Sequence, residues 1–205
     1  MAGYDIIVIG GGLVGGAIAW GAARLGARVA LVDEGDVAFR AARGNFGLVW
    51  VQSKGADMPA YAHWSRRSAE LWPGLQAGML AATGVDVALQ QTGGLAFCLS
   101  DAEMEERAAL IARMHNASGD IGTRMLDRAE LRAMLPAVGD AVAGASFCPI
   151  DGHANPLKLL RSLHAALLRA GGDYLPNRTV ERIDHQPGMF TLHAGAERLT
   201  AAKVV

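Results

Sequence analysis

Apolar residues at the start of the chain follow the pattern of a strand, a helix and a second strand. The β-branched run YDIIVIG at residues 4–10 predicts a buried strand of the parallel type. Small and apolar positions at helical spacing in LVGGAIAWGAARLG, residues 13–26, predict a helix that Gly26 ends. ARVALVD at residues 27–33 predicts a second buried strand. These residues therefore indicate a β-α-β unit with a tight loop before its helix.

A long helix is predicted at residues 58–80, where Pro73 is expected to bend or break it. Its apolar face is expected to lie mainly in the core and comprises Tyr61, Trp64, Ser68, Leu71, Leu75 and Met79. Strand and helix patterns then alternate over residues 93–150, in GGLAFCLS, DAEMEERAALIARMHNAS, TRMLD, RAELRAML and VAGASFCPI. This alternation predicts an inserted α+β layer on the substrate side.

The next helix has clear start and stop signals in DGHANPLKLLRSLHAALLRAGG, residues 151–172. Asn155 is a suitable N-cap, Pro156 suits the first helical position and Gly171 is a C-terminal stop. Its buried stripe is formed by Leu157, Leu160, either Leu163 or His164, and Leu167. DYLP then predicts a strand, and TVERID, GMFTLHA and ERLTAAKVV predict a small antiparallel meander.

Glycines in the loop before the first helix are the first candidate functional residues. Gly10, Gly12 and Gly15 have the spacing of a dinucleotide fingerprint, and Leu13 and Val14 lie between the last two. Such glycines permit the turn, the approach of a pyrophosphate to the backbone, and close packing of helix on strand. The phosphates are expected at the positive N-terminus of the helix. The alternative is that the glycines serve packing alone.

An acidic residue follows the second strand at the position that a dinucleotide site requires. Asp33 lies 21 residues after Gly12, where a carboxylate can accept hydrogen bonds from an adenosine ribose, and Glu34 is the neighbouring candidate. The strand, loop, helix and acid together predict dinucleotide binding. They do not separate NAD from FAD.

The segment DEGDVAFRAARGNFGLVWVQSKG at residues 33–55 makes that distinction by resemblance. A further helix would be expected here in an NAD-binding unit, whereas this segment is polar and contains glycine. It resembles the FAD-dependent D-amino acid oxidase superfamily, and GLVWVQ is similar to the branch of hydrogen cyanide synthase subunits, opine oxidase subunits and related amino-acid dehydrogenases. GGLAFCLS, LDRAELRAMLP, DGHANPLKLL and TVERI extend the resemblance in the family's order.

The resemblance implies FAD as the cofactor and assigns residues to it. Those along the flavin diphosphate and ring are Arg43, Asn45, Phe46, Gly47 and Leu48. Asn45 and Gly47 alternatively only shape a surface turn. The Val180 backbone is expected to meet the adenine, a contact that an ordinary buried strand valine can also make. On the substrate side, Gln52 is expected near the ring, and His153 is a weaker candidate whose alternative is a capping or surface role.

The resemblance also predicts the domain organisation and the fold class. The fold class is α/β, with a Rossmann-like FAD-binding domain formed by residues 1–55 and 151–205. Residues 56–150 are expected to form a helical connection and part of a substrate domain. In the superfamily, the strand resembling AAKVV continues into a segment that passes beneath the cofactor. The chain is therefore expected to be the N-terminal part of a flavoenzyme, ending at Val205 before the substrate-gripping half.

Composition narrows the classes of partner. The 19 basic and 20 acidic residues give a formal charge of -1, without the basic stripe that nucleic acid requires, so a small-molecule partner is expected. The uncharged run Ile6–Ala23 contains glycines and predicts neither a transmembrane span nor a signal peptide. A cytoplasmic protein is therefore expected, and peripheral membrane association of the whole enzyme is compatible with this. Cys98 and Cys148 are expected to be buried thiols, and no histidine has metal-ligand spacing.

By resemblance, the whole protein is expected to oxidise the C–N bond of an amino acid or related secondary amine. Hydride passes from carbon to the flavin, which explains why no acid and base pair stands out in the sequence. Oxygen or a respiratory carrier is the expected electron acceptor, and a partner subunit is a further expectation. The alternatives are a nucleotide-binding fragment or subunit without catalysis and, less favoured, an NAD-dependent dehydrogenase.

Overall fold

A computed structural model describes residues 3–35 and 40–205. Within those ranges the chain divides into two compact units. The first contains residues up to 46, residues 76–87 and residues 155–205, and the second contains residues 47–75 and 88–154. The units reflect packing, and the functional domain boundaries between 55 and 56 and between 150 and 151 stay a prediction.

A six-stranded sheet forms the centre of the first unit, in the order β8-β2-β1-β11-β10-β9. Its strands are β1 (Tyr4–Ile9), β2 (Val29–Val32), β8 (Asp173–Leu175), β9 (Arg182–Gln186), β10 (Met189–Ala194) and β11 (Glu197–Val204). β8, β2, β1 and β11 pair in parallel, whereas β11, β10 and β9 form the antiparallel meander. All four residues of β2 are buried, as its continuous apolar run predicts.

Two helices of the first unit pack against each other, namely α1 (Leu13–Arg24) and α5 (Pro156–Arg169). Small residues allow a close approach, since a Cβ built on Gly16 would lie 3.3 Å from Cβ of Leu163. α5 begins as its sequence predicts, because Asn155 Oδ1 accepts hydrogen bonds from the backbone N–H groups of Leu157 and Lys158 at 3.1 and 3.0 Å.

The second unit contains a three-stranded antiparallel sheet in the order β4-β6-β5 and a two-stranded sheet of β3 and β7. The bounds are β3 (Leu48–Val49), β4 (Gly94–Cys98), β5 (Arg124–Asp127), β6 (Gly144–Cys148), β7 (Gly152–His153), α3 (Asp101–Ser118) and α4 (Arg128–Met134). Leu126, Leu131 and Ala145 form a buried cluster between this sheet and α4. These elements confirm the predicted α/β fold with an inserted α+β layer.

Helix α2 (Pro59–Thr83) is continuous, so Pro73 does not break it, and the bend that was the alternative expectation stays a prediction. Proline lacks the N–H that would bond to the carbonyl four residues earlier, which belongs to Ala69. The Nε2 of Gln91 donates to this carbonyl oxygen at 3.0 Å instead. A side chain from outside the helix therefore satisfies the acceptor that Pro73 leaves.

The aromatic residues near the start of α2 are exposed, so the prediction that they lie in the core is wrong. Trp64 is 72% exposed and Tyr61 is 42% exposed. The helical spacing correctly placed these residues on one face, but spacing does not show whether protein or solvent covers a face.

Candidate functional site

The loop between β1 and α1 has the geometry that its glycines predict. Gly10 has φ of +102°, a conformation that L side chains rarely adopt. A Cβ built on Gly15 would lie 1.9 Å from the Gly10 carbonyl oxygen, so only hydrogen fits there. Gly12 is the N-cap of α1, and among the described residues no side chain caps this helix start. The first-turn N–H groups are therefore available to an anion.

Asp33 connects the end of β2 to this loop. Its Oδ2 accepts a hydrogen bond from the Gly11 N–H at 2.7 Å, and its Oδ1 accepts one from the Gly35 N–H at 2.9 Å. A carboxylate offers about four acceptor sites, so both oxygens can accept further hydrogen bonds from hydroxyl groups. Glu34 lies 2.5 Å from Arg40 in an ion pair. This contrast favours Asp33 over Glu34 as the acid available to a ligand.

A cavity of about 1210 Å³ opens beside the loop and belongs to the first unit alone. This volume lies above the range of about 300–1,000 Å³ that is common for small-molecule sites. The predicted site residues that it brings together are Gly10, Gly12, Leu13, Val14, Gly15, Asp33, Arg43 and Asn45. Glycine backbone, a helix N-terminus, a carboxylate and arginine side chains together suit a nucleotide diphosphate.

Other predicted cofactor residues lie outside the cavity lining. Phe46 is 88% exposed, and Leu48 is an exposed residue of β3 that pairs with His153. The Gly47 carbonyl oxygen accepts a hydrogen bond from the Ala154 N–H at 2.8 Å. Val180 packs against the buried core of the six-stranded sheet. The predicted cofactor contacts of these residues stay predictions.

Asn45 shapes its own turn. Its Nδ2 donates to the carbonyl oxygens of Ala41 and Ala42 at 2.9 and 3.1 Å. The side chain therefore has the turn-shaping role that was the alternative prediction for it. It also lines the cavity, so a structural and a binding role are compatible.

Gln52 is 2% exposed and lies in a buried polar network of the second unit. Its Nε2 donates to Asp151 Oδ2 at 2.9 Å and to the Gly94 carbonyl oxygen at 3.2 Å. Its Oε1 accepts from Arg107 Nη2 at 2.9 Å and from the Ser146 hydroxyl. The amide is engaged at both ends, which gives Gln52 a structural role, and the substrate contact predicted for it stays a prediction.

Asp151 anchors the same network and was missed by sequence reasoning. Its side chain is fully buried, and its Oδ1 accepts a hydrogen bond from the Val51 N–H at 2.6 Å. Burial raises the pKa of the Asp151 carboxyl, and hydrogen bonds from Val51 and Gln52 oppose that rise. Asp151 thus fixes the segment that follows β3. His153 is exposed on β7, so its side chain is accessible to a ligand.

Sequence reasoning also missed cavity residues contributed by α5 and β8. Leu157, Leu160, Arg161 and His164 line the cavity from α5, and Tyr174 lines it from β8. The sequence left open whether Leu163 or His164 joins the buried stripe of the helix. Leu163 is buried, whereas His164 is half-buried and lines the cavity.

Across residues 3–35 and 40–205, no group of three or more His, Cys, Asp or Glu side chains is arranged to hold a metal ion. Nor do these ranges contain a helix with the length and apolar character needed to cross a membrane.

A β-α-β unit with a glycine loop and a carboxylate at the end of its second strand defines a class of dinucleotide-binding proteins. Residues 5–205 match the DAO family, described as FAD dependent oxidoreductase, and the chain belongs to this family. Its cofactor is therefore FAD, and the NAD-dependent alternative is set aside.

Individual relatives agree with this assignment. The chain is 39% identical to an opine oxidase subunit of Agrobacterium tumefaciens, over 98% of this chain and 55% of that protein. It is 26% identical to the hydrogen cyanide synthase subunit HcnC of Pseudomonas aeruginosa, over 94% of this chain and 55% of that protein. The crystal structure of glycine oxidase from Geobacillus kaustophilus matches with a TM-score of 0.89 and 25% identity, over 98% of this chain and 54% of that one. The chain spans about half the length of these relatives.

Proposed function

We propose that this chain forms the FAD-binding part of an enzyme that oxidises the C–N bond of an amino acid or related secondary amine. The observation that carries the proposal is the cavity in which the glycine loop, the N-terminus of α1 and Asp33 converge. Membership of the DAO family supports a redox reaction. The names of the relatives, which include glycine oxidase and opine oxidase, support an amine substrate.

In this proposal, different residues around the cavity bind different parts of FAD. The first-turn N–H groups of α1 bind the diphosphate, and Asp33 accepts hydrogen bonds from the adenosine ribose. Arg43 adds positive charge beside the diphosphate. The Val180 backbone meets the adenine.

In this proposal Phe46, Gly47 and Leu48 would hold the flavin ring, and Gln52 and His153 would lie on the substrate side. FAD, when bound, supplies a hydride acceptor for the substrate carbon, while the nitrogen lone pair forms the C=N bond of an imine that water then hydrolyses. The network of Asp151 and Gln52 holds the Val51 backbone and so orients the segment after β3. Oxygen or a respiratory carrier finally takes the electrons.

A partner subunit is part of the same proposal. The opine oxidase and hydrogen cyanide synthase relatives are both named as subunits of their enzymes. The competing proposal is that the 205-residue chain binds the nucleotide without catalysis. It is favoured by the chain spanning about half the length of the relatives.

The test compares the 205-residue chain with the product of the whole reading frame. Both are loaded with FAD, and flavin released on denaturation is measured. Each is then mixed anaerobically with amino acids and opines, and bleaching of the flavin absorbance is followed before a dye acceptor or oxygen is added. If the whole product binds FAD fully and no amine reduces the flavin, the oxidase proposal is contradicted. Amine turnover by the 205-residue chain alone would refute the non-catalytic alternative.

A further inference from the structure

Two stacked rings form part of the wall of the dinucleotide cavity. His164 of α5 and Tyr174 of β8 have ring centroids 4.3 Å apart and ring planes inclined by 27°. Both residues are half-buried and line the cavity. Neither belongs to the glycine fingerprint or to the segment after β2, so the proposed function does not yet use them.

His164 contacts the glycine loop directly. Its Nε2 lies 2.6 Å from the carbonyl oxygen of Gly11, the residue between the first two fingerprint glycines. A carbonyl oxygen only accepts hydrogen bonds, so Nε2 must carry a proton and donate. The Gly11 N–H in turn donates to Asp33 Oδ2 at 2.7 Å. The backbone N–H and C=O of Gly11 are thus both hydrogen-bonded to side chains, one from Asp33 and one from His164.

Close packing restricts Gly11 as well. A Cβ built on Gly11 would lie 3.1 Å from Cγ of Asp33 and 3.2 Å from Cε2 of Tyr174. Burial, and then the negative charge of Asp33, raises the pKa of the Tyr174 phenol. A tyrosine phenol is already neutral at physiological pH at its ordinary pKa of about 10, so Tyr174 places no negative charge beside a diphosphate.

We propose that His164 and Tyr174 are positioning residues for FAD, and that they hold Gly11 so that the loop is ordered before the cofactor binds. This inference rests on the proposed placement of FAD in the cavity. A loop that is already ordered binds its ligand more tightly, because less conformational entropy is lost on binding. The family fingerprint does not include this contact, because His164 lies 153 residues along the chain from Gly11.

Substitutions at His164 separate its hydrogen bond from its ring stacking. H164F retains an aromatic ring against Tyr174 but cannot donate to Gly11. H164Q places an amide nitrogen near the position of imidazole Nε2 and restores a donor. H185F is the matched control, because His185 of β9 stacks on Phe190 at 4.4 Å in the same unit and lies outside the cavity lining.

The first measurement is FAD binding to the 205-residue chain, by flavin fluorescence and calorimetry. H164F is expected to weaken FAD binding by about three- to tenfold, as loss of one hydrogen bond predicts. H164Q should restore most of that affinity, and H185F should bind like the wild type. Equal affinity in H164F and the wild type would overturn the inference while leaving the proposed FAD site intact.

The second measurement needs no cofactor. Nitrogen NMR of the imidazole ring should show a proton on Nε2 of His164, and hydrogen exchange of the Gly11 amide should be several-fold faster in H164F than in H185F. A neutral ring with its proton on Nδ1, or equal exchange rates, would overturn the inference. If the wild-type chain bound no FAD, the proposed function would fail, and these two observations would still decide whether His164 positions the loop.

Discussion

The loop between β1 and α1 depends on Gly15 having no Cβ. The first turn of α1 passes so close to Gly10 that a Cβ on Gly15 would overlap the Gly10 carbonyl oxygen at 1.9 Å. That carbonyl is backbone, so it cannot move aside as a flexible side chain could. The close approach of α1 to β1 therefore depends on this residue being glycine.

We expect G15A to lower the free energy of unfolding by about 1–3 kcal/mol, because the added methyl group overpacks the turn. The same displacement should move the N–H groups of α1 and weaken FAD binding. G21A is the control on the same helix, since a Cβ at Gly21 meets no atom of the described residues within 4 Å. It should instead stabilise the helix by up to about 1 kcal/mol. Thermal unfolding and FAD titration check both variants, and equal behaviour would contradict the assigned role of Gly15.

Helix α5 has two functions at the scale of an element. One face packs on α1 through Leu163 and other buried residues, and the neighbouring face lines the cavity through Arg161 and His164. These positions are adjacent in sequence, so helical periodicity alone left Leu163 and His164 as alternatives. The choice depended on the neighbour of the helix, because a side chain at 163 approaches Gly16 of α1. The position of Tyr174 in the cavity wall likewise depends on a neighbouring element, because it follows from the register of β8 against β2. A single sequence pattern therefore could not predict it.

Arg161, on the cavity face of α5, is expected to strengthen FAD binding through its positive charge. R161Q removes a positive charge from the cavity lining and should weaken FAD binding by about two- to fivefold, the size of an exposed ion pair. The loss should shrink as salt is added, because salt screens exposed charges. K158Q removes the same charge from the same helix outside the cavity lining and is the control. FAD titrations at low and high salt check this, and equal losses in the two variants would contradict it.

The buried carboxylate between β6 and β7 predicts a dependence of stability on pH. D151N should lower the free energy of unfolding by about 1–3 kcal/mol, because one carboxyl oxygen is replaced by an amide nitrogen that cannot accept the hydrogen bond from Val51 or Gln52. A carboxyl oxygen, by contrast, retains acceptor capacity even when protonated. Burial raises the folded-state pKa of Asp151, so the folded state favours the protonated acid. The contribution of Asp151 to stability is therefore largest below its unfolded pKa and falls as pH rises through the folded pKa.

Urea unfolding of both proteins from pH 3 upwards checks this sign. The stability advantage of the wild type over D151N should decrease as pH rises. An advantage that grows with pH would show that the hydrogen bonds, rather than burial, determine the pKa of Asp151.

The molecule as a whole combines a nucleotide-binding unit that could be predicted with a polar network that could not. The β-α-β unit, the glycine loop and Asp33 are local in sequence, and their patterns correctly predicted the strand, helix and strand of the first unit. The contact of Asp151 with Val51 joins residues 100 positions apart, and DG alone indicates only a turn. The continuity of α2 could not be predicted from the sequence either, because it depends on a hydrogen bond from Gln91 to the carbonyl oxygen of Ala69.

Comparing hydrogen exchange with ADP bound and with FAD bound should show which residues contact the flavin ring. ADP contains the diphosphate and adenosine without the ring, so it should slow hydrogen exchange in the glycine loop and around Asp33. FAD should slow exchange there and also at residues 46–52. Mass spectrometry of exchanged peptides measures both patterns. Identical protection by ADP and FAD would contradict the proposed path of the ring past Gly47 and Leu48.

In the proposed complex, the start of α1, which no side chain of the described residues caps, would link cofactor supply to the lifetime of the protein. Helix starts are normally completed by a serine, threonine, aspartate or asparagine side chain, and here the N-cap is Gly12. In the proposed complex, phosphate oxygens complete the helix, so loading with FAD also stabilises the fold by mass action. Newly made chains that outnumber the available flavin would then unfold more often and be degraded first. The abundance of the protein would thus follow the flavin level of the cell without any dedicated regulator.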